Sequence, residues 1–493
     1  MNIRSRILGG CMFYRIYRKK LIFFYIICLV FSVITKAQNE PRIKYDLSTY
    51  LQEVNLQNKM LLSLQKSSNA INEKYQNTNV ELSPYMQISG SLIDDRSLKQ
   101  NSPTYIIDRQ KIKDYSLIFG KKFRTGTTLQ LIAEAQDINM EGRSPASFQA
   151  TQGVSHLGIM FSQSLWKDFF GHSNTLKAQR ESVLEKLEKV MNSIQINQVL
   201  IDAEKLYWDF IYSKKELELH ESSLNRAKKI QSWVQRRLND GIGDRSELLS
   251  SQGLVSLREL QLVSANDEFQ NIKIKIANTL ERASVFEFEP TENFESEREL
   301  TKNKMIRLDA YASHLESQIK VNIVHEVKET QKAELSLDGM YKTNNYDSNF
   351  NTVVGKIADS ERPTTSIGLK FKWLFDDGAK SSIINSSQLE MQASHLKKEK
   401  MIQESTTSWS EIVRRHSEMS NKIKIARQMN AFQKERFKSE QDKLSKGRTI
   451  TSQVITAEGD VADSELSLMK LLTEQRKLEA QAKMFIQLED GML

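Results

Sequence analysis

The segment Gly241–Ser246 (GIGDRS) has the glycine spacing that opens a dinucleotide-binding loop, where a helix N-terminus cradles a pyrophosphate. That chemistry needs an apolar strand just before the loop, and none precedes it. The seven histidines, at 156, 172, 220, 314, 325, 395 and 416, form no spaced ligand set with cysteines or carboxylates. No nucleophile elbow, zinc-protease helix motif or phosphate-binding loop occurs. Asp and Glu are abundant, but on long helices they read as a solvated face laced with i,i+4 pairs. The residues therefore point to a protein that is not an enzyme, with no cofactor and no metal.

Charge has to be located before it is interpreted. The chain of 493 residues carries 70 Lys plus Arg against 62 Asp plus Glu, a formal charge of +8, and two cysteines. Residues 1–37 hold seven of those basic residues, no acid, and both Cys11 and Cys28. A basic start, the apolar run Leu21–Phe31 and a small residue at Ala37 read as a secretory signal peptide, too short in its apolar part for a comfortable membrane span. Without it, 63 basic residues face 62 acidic ones and no cysteine remains. An exported, neutral chain gives no support to nucleic-acid binding.

The elements are long and sharply patterned. Residues 46–82 read as a helix stopped by Pro84. Pro84–Ile93 alternates Met86, Ile88, Gly90 and Leu92 with polar residues, the period of a strand. Further strands are expected over Tyr115–Phe119, Thr127–Ile138 and His156–Trp166, with a turn at Gly142–Pro145. From Asn174 to about Leu238 no Gly or Pro occurs, a helical rod of roughly 95 Å. After the break Asn239–Asp244, a second helix carries Leu248, Val255, Leu262, Phe269 and Ile276 at a strict spacing of seven. That spacing is a coiled-coil seam.

The order then repeats. A helix is expected from about 300 to 329, strands over Ala333–Tyr341 and Thr365–Phe375, and a rod from 380 to 444. A break at 446–449 follows, then a helix with Val454, Val461 and Leu468 at spacing seven, with helix continuing over 466–488. An offset of 206 superposes Gly241 on Gly447, Ser246 on Ser452 and the heptads on one another. Near Pro84 and Ala333 the offset is about 249, so the first half carries roughly 40 extra residues, the hairpin over 113–138. The domains expected are a leader, 1–37; a first repeat, 38–285 (strands about 84–166, helical hairpin about 174–282); and a second, 286–493 (strands about 333–375, hairpin about 380–488).

Neither half has enough strands for a barrel, and strand edges must be paired. The expected class is mainly α with a β-barrel part, in a homo-oligomer whose copies share one closed barrel. Strands apolar on one face and polar on the other fit an outer membrane, and helices rich in Lys, Glu and Gln do not fit lipid.

The duplicated order, Ser162–Trp166 (SQSLW) followed by 167–174, the segment Gly241–Gln252, Gly447–Ile450 (GRTI) and Val454–Glu458 (VITAE) together resemble the TolC-type outer-membrane efflux and secretion channels over about residues 45–485. The resemblance implies a homotrimer, with an α-helical barrel continuous with a transmembrane β-barrel shared by the three chains. It implies partnership with a periplasmic adaptor and an inner-membrane pump, and contact with outer-membrane lipid. It places Asn239, Gly241, Gly243 and Asp244, with Lys446, Gly447 and Arg448, in two periplasmic turns that open and meet the adaptor. Some family members narrow the entrance with carboxylates just after the second turn. The positions here are the neutral Gln453 and Thr456, leaving Asp244 and Glu247 as the acidic candidates for a constriction. Tyr85, Trp166 and Trp373, near strand ends, read as interfacial aromatics, with core packing or lumen lining as alternatives. The rival readings are a periplasmic adaptor or a coiled-coil structural protein held by an uncleaved leader. Two hairpins of equal rank argue against the adaptor. The nature of the cargo, the pump class, and the place of the extra hairpin are open at this level.

Overall fold

The computed structural model describes residues 43–102, 105–143, 150–282, 288–290, 300, 305–359 and 362–487. The leader expected over 1–37 lies outside them, as do residues 144 and 145 of the expected turn and Leu488. The described chain is mostly helical with one large antiparallel sheet. It forms two compact units, each drawing on both halves of the sequence. The first takes the described residues within Met1–Ser63, Ile196–Lys302 and Glu411–Lys483; the second takes those within Leu64–Gln195, Asn303–Ser410 and Met484–Leu493.

The second unit contains the sheet. Its strands are β2 (Tyr85–Asp95), β3 (Lys99–Ser102), β4 (Tyr105–Lys122), β5 (Thr127–Arg143), β6 (Thr151–Ser164), β9 (Glu334–Asp347) and β10 (Pro363–Lys372). The order is β10-β9-β6-β5-β4-β2, all antiparallel, with β3 continuing the β2 position along β4. The strands run longer than their cores of alternation predict, β4 and β5 above all, with 18 and 17 residues. The extra hairpin of the first half is thus β4–β5, inserted between β2 and β6, with β4 paired to β2 and β3 and β5 paired to β6 over Thr127–Asn139. The short helix α6 (Phe350–Gly355) lies against β5, β6 and β9. There the buried Val353 accepts a hydrogen bond at its carbonyl from the buried Ser155 hydroxyl, 3.0 Å.

The first unit is a packing of helices. Two rods, α3 (His172–Asn239) and α7 (Asp377–Ser445), run 68 and 69 residues without interruption and contribute residues to both units. Their return helices are α4 (Arg245–Thr279) and α8 (Thr451–Ala482). The heptad residues do what their spacing requires. Val255, Ile276, Val454, Val461 and Leu468 are buried, and Phe269 packs on Phe210 with ring centres 5.3 Å apart. Leu224, Ala227, Ile230 and Val234 of α3 close a core with Leu254, Val255, Leu444 and Val454.

Three expectations need correction. The helix expected over 46–82 is two helices, α1 (Leu47–Gln57) and α2 (Lys59–Gln76), followed by a 3-10 turn. Asn58 breaks it. Its backbone is extended, its side-chain oxygen accepts from the Met60 and Leu61 N–H groups, and its amide donates to the Thr279 carbonyl at 3.0 Å. The helix expected from about 300 begins only at Leu308 (α5, Leu308–Thr330), after the short strand β8 (Met305–Arg307). The closing helix ends at Ala482 rather than running to 488. Phe485–Gln487 instead pairs with β8, and the buried Phe485 ring lies 5.2 Å from Trp409. Two further short strands, β1 (Ile43–Tyr45) and β7 (Phe288–Pro290), pair in parallel in the first unit.

Replacing Asn58→Ala removes both cap bonds at once and is expected to destabilise the start of α2 by about 1 kcal/mol. Hydrogen exchange at the Met60 and Leu61 amides is the readout, with both exchanging several-fold faster.

Candidate functional site

The two breaks in the helical hairpins close in the same way. At the first, the Gly241 N–H donates to the Leu238 carbonyl (3.1 Å) and the Ile242 N–H to that of Arg237 (3.0 Å). At the second, Gly447 donates to Leu444 (3.0 Å) and Arg448 to Lys443 (2.8 Å). Each is a Schellman closure, with the pivot residue in the left-handed region: φ is +73° at Gly241 and +68° at Gly447. A Cβ at either would meet nothing, so conformation and not space selects glycine. Gly243 has the opposite reason, since a Cβ there would come within 2.8 Å of the Leu238 nitrogen.

The other predicted turn residues are engaged locally. The Asn239 side-chain oxygen accepts from Gln235 at 2.9 Å, and Lys446 pairs with Asp442 at 2.6 Å. Asp244 caps α4 by accepting from the Ser246 N–H at 3.0 Å. Glu247 faces Arg237 at 3.6 Å, and that guanidinium lies over the Trp233 ring. The Thr449 hydroxyl donates to Glu440 at 2.9 Å, and the Gln453 side chain lies in contact with the same hydroxyl oxygen. Hydrogen bonds from Lys443 and then Thr449 hold the Glu440 carboxyl below its usual range. Thr456 donates back to the Ser452 carbonyl. The acid candidates Asp244 and Glu247 thus serve as the N-cap and as a first-turn ion pair of α4. Ile242 and Ile450 stand exposed in the two turns.

Sequence reasoning missed the charged cluster behind these turns. Glu458, on α8, is wholly buried. One of its oxygens accepts from the Ser223 hydroxyl (2.5 Å) and from Arg226 Nε (3.2 Å). The other takes Arg258 Nε at 3.1 Å and Nη2 at 2.6 Å. Arg226 also faces Glu465 at 3.5 Å, and Glu465 pairs with Lys434 at 2.9 Å. One carboxylate and its neighbour therefore join α3, α4, α7 and α8. Burial, and then the Arg258 charge, lower the pKa of the nearby His220. Glu458 ends the Val454–Glu458 segment already singled out, but its partners lie 200 and more positions away, and no spacing rule connects them.

The sheet has two distinct faces. One carries Met86, Ile88 and Leu92 of β2, then Tyr115, Leu117 and Phe119 of β4. The same face continues through Leu129, Leu131, Ala133 and Ala135 of β5, and Leu157, Ile159 and Phe161 of β6. It ends on Leu337 and Tyr341 of β9 with Ile367, Leu369 and Phe371 of β10. The opposite face is largely polar. Beyond the apolar stretch on β4 and β5, the first face turns to ion pairs: Lys113–Asp137 (3.1 Å), Lys111–Glu141 (3.1 Å) and Arg109–Asp94 (2.7 Å). At the other end of the strands Trp166 lies 6.4 Å from Phe371, and Phe371, Trp373 and Phe375 follow one another in ring contact. Trp166 and Trp373 thus sit in an exposed aromatic cluster. Tyr85 does not join it. It shares the polar face with Gln87, and its hydroxyl accepts from Gln130 at 2.6 Å.

Among the described residues no group of three or more His, Cys, Asp or Glu could hold a metal ion, and no helix is long and apolar enough to cross a membrane.

No protein-family model and no curated protein sequence matches the chain. Solved structures do. The outer membrane protein VceC of Vibrio cholerae superposes with a TM-score of 0.66 at 12% identity, over 89% of this chain and 95% of that one. The fold is that of the TolC-type outer-membrane channels. The CmeC channel of Campylobacter jejuni (TM-score 0.64, 13% identity, 90% of this chain and 87% of that one) matches the same fold. So does the open-state MtrE channel of Neisseria gonorrhoeae, with TM-score 0.64, 12% identity, and coverage of 89% and 88%. At this identity the likeness is one of fold.

Two substitutions probe the helical part. Glu458→Ala leaves the buried Arg258 without its carboxylate and is expected to cost about 3–5 kcal/mol. Adding Arg258→Met should restore a good part of it, measured as urea midpoints in a double-mutant cycle. Gly447→Ala forces a side chain into the left-handed region and should cost about 1–2 kcal/mol on the same scale.

Proposed function

We propose that this chain is the outer-membrane exit duct of a tripartite efflux pump or a type I secretion system. It passively conducts substrates that an inner-membrane transporter and a periplasmic adaptor deliver. The observation that carries the reading is the sheet: apolar on one face, polar on the other, and among the described residues unpaired at both edges, on a fold shared with outer-membrane channels. A sheet of that kind is stable in lipid only when closed, and closure here needs further copies of the chain. The helices support the same reading. Ile425, Met429 and Phe432 are exposed on one face of α7, and Leu249, Leu257 and Leu260 are exposed on α4. Such apolar stripes on otherwise charged helices suit neighbours in a homotrimer.

In this reading the turns at Asn239–Asp244 and Lys446–Arg448 meet the adaptor. The exposed Ile242 and Ile450 offer apolar contact, while Lys446 and Arg448 offer charge. The aromatic cluster at Trp166 and Trp373 marks the lipid–water boundary, and the energy for transport comes from the pump.

The expected outcome is a detergent-resistant trimer in outer-membrane fractions that conducts ions in planar bilayers. A soluble periplasmic monomer without conductance would overturn the proposal. Arg448→Glu combined with Lys446→Glu should weaken adaptor capture at least several-fold while leaving the trimer and its conductance intact.

A further inference from the structure

Resting on that reading, we infer that the extra hairpin β4–β5 is part of the membrane wall and not an appendage. Three copies then close a barrel of eighteen strands, six positions from each.

The sheet contains six strand positions, with β2 and β10 at its edges. Both edge strands are exposed nearly throughout, and they are almost equal in length, 11 and 10 residues. They run in opposite directions, so β10 of one copy meets β2 of the next in the same antiparallel sense as every pair within the sheet. Edge-to-edge closure of one copy would leave no open lumen, since even a barrel of eight strands is filled by side chains.

The position of the apolar band decides where β4 and β5 belong. Its centre lies near residue 89 on β2, 117 on β4, 132 on β5, 159 on β6, 338 on β9 and 369 on β10. Compared with the row of paired residues through Ser89, the centre slides steadily toward the Tyr85 end of the sheet, by about seven residues in five steps. With about 3.4 Å per residue and about 4.8 Å between strands, that slope corresponds to a tilt of about 45°. This is the tilt of strands in transmembrane barrels, in which the band stays level while the strands incline. The β4 and β5 centres fall on the same line as the other four. A hairpin standing clear of the membrane would carry its apolar residues off that line or have none.

The connections agree. The chain enters or leaves the sheet for the helices at Tyr85, Ser164, Glu334 and Lys372, all at one end. At that end β4 and β5 are joined by only residues 123–126, closed by the Phe123 N–H donating to Thr127 O at 2.8 Å. Short turns on the inner side are the rule for such barrels. At the other end β4 and β5 outrun the apolar band, and there their outward face carries the ion pairs of Lys111, Lys113 and Arg109. Without the hairpin, each copy would give four positions and the barrel twelve. With it, the wall spans about 39 Å between opposing backbones, about half as wide again, and the lumen is an open aqueous channel. The polar face lining it takes bulky, hydrated cargo.

The test uses the full chain in phosphatidylcholine vesicles, with single spin-labelled cysteines at Ile88, Leu117, Leu131 and Leu369, and at Gln130 of the polar face. The parent chain, whose two cysteines lie in residues 1–37, sets the background. The expected result is greater accessibility to oxygen than to a water-soluble nickel chelate at the first four sites, the reverse at Gln130, and a native mass of three chains. If Leu117 and Leu131 favour nickel while Ile88 and Leu369 favour oxygen, the hairpin lies outside the membrane and the barrel has twelve strands. If all four favour nickel, the channel reading itself falls. A mass other than three chains overturns the count of eighteen. Ala133→Cys serves as a second site on β5 where Leu131→Cys disturbs folding.

Discussion

A strand edge leaves a row of N–H and C=O groups unpaired, and in hydrocarbon each would cost several kcal/mol. Everything about the sheet follows from that. β2 and β10 keep the apolar alternation of their neighbours on one side and nothing on the other, a state that water tolerates and lipid does not. In the proposed assembly the chain is a fraction of a structure, and its modest share of apolar residues, 39%, accords with that. Long helices bury a seam and not a core, and one face of the sheet is polar.

The helical part solves a different problem. Narrow seams leave little apolar area to fix register over 35 residues of paired helix. The buried Glu458 supplies register by chemistry: its two oxygens are filled by Ser223, Arg226 and Arg258, so a slip of one turn would strand a charge. Close behind the turns, that carboxylate makes the relation between the two hairpins discrete and not sliding.

How much was legible in the sequence depended on the range of the interaction. The heptads at Leu248–Ile276 and Val454–Leu468, the glycines at 241 and 447 and the alternation of β2 are local, and each lies where its spacing puts it. The Asn58 break was missed because asparagine inside a helical pattern is tolerated. Its cap bonds to the Met60 and Leu61 N–H groups are local, but the bond that holds its amide, to the distant Thr279 carbonyl, is contained in no spacing rule. Phe485 was read as helix because its apolar character fits either state, and its pairing with β8 decides the matter. Tyr85 lies one residue out of phase with the apolar face, as the alternation over Pro84–Ile93 already contains, which accords with the lumen-lining alternative.

The β4–β5 insertion has a consequence for how such a chain can change. A single added strand would reverse the direction of one edge, and the two edges would no longer match across copies. A whole hairpin restores the direction and leaves both edges as they were, with β2 and β10 unaltered. In the proposed shared barrel, width is thus quantised. It grows by paired strands multiplied by the number of copies, and every permitted step reuses the same seam. Bore and assembly are inherited separately, so a lineage can retool what passes through the wall without renegotiating how the wall is joined.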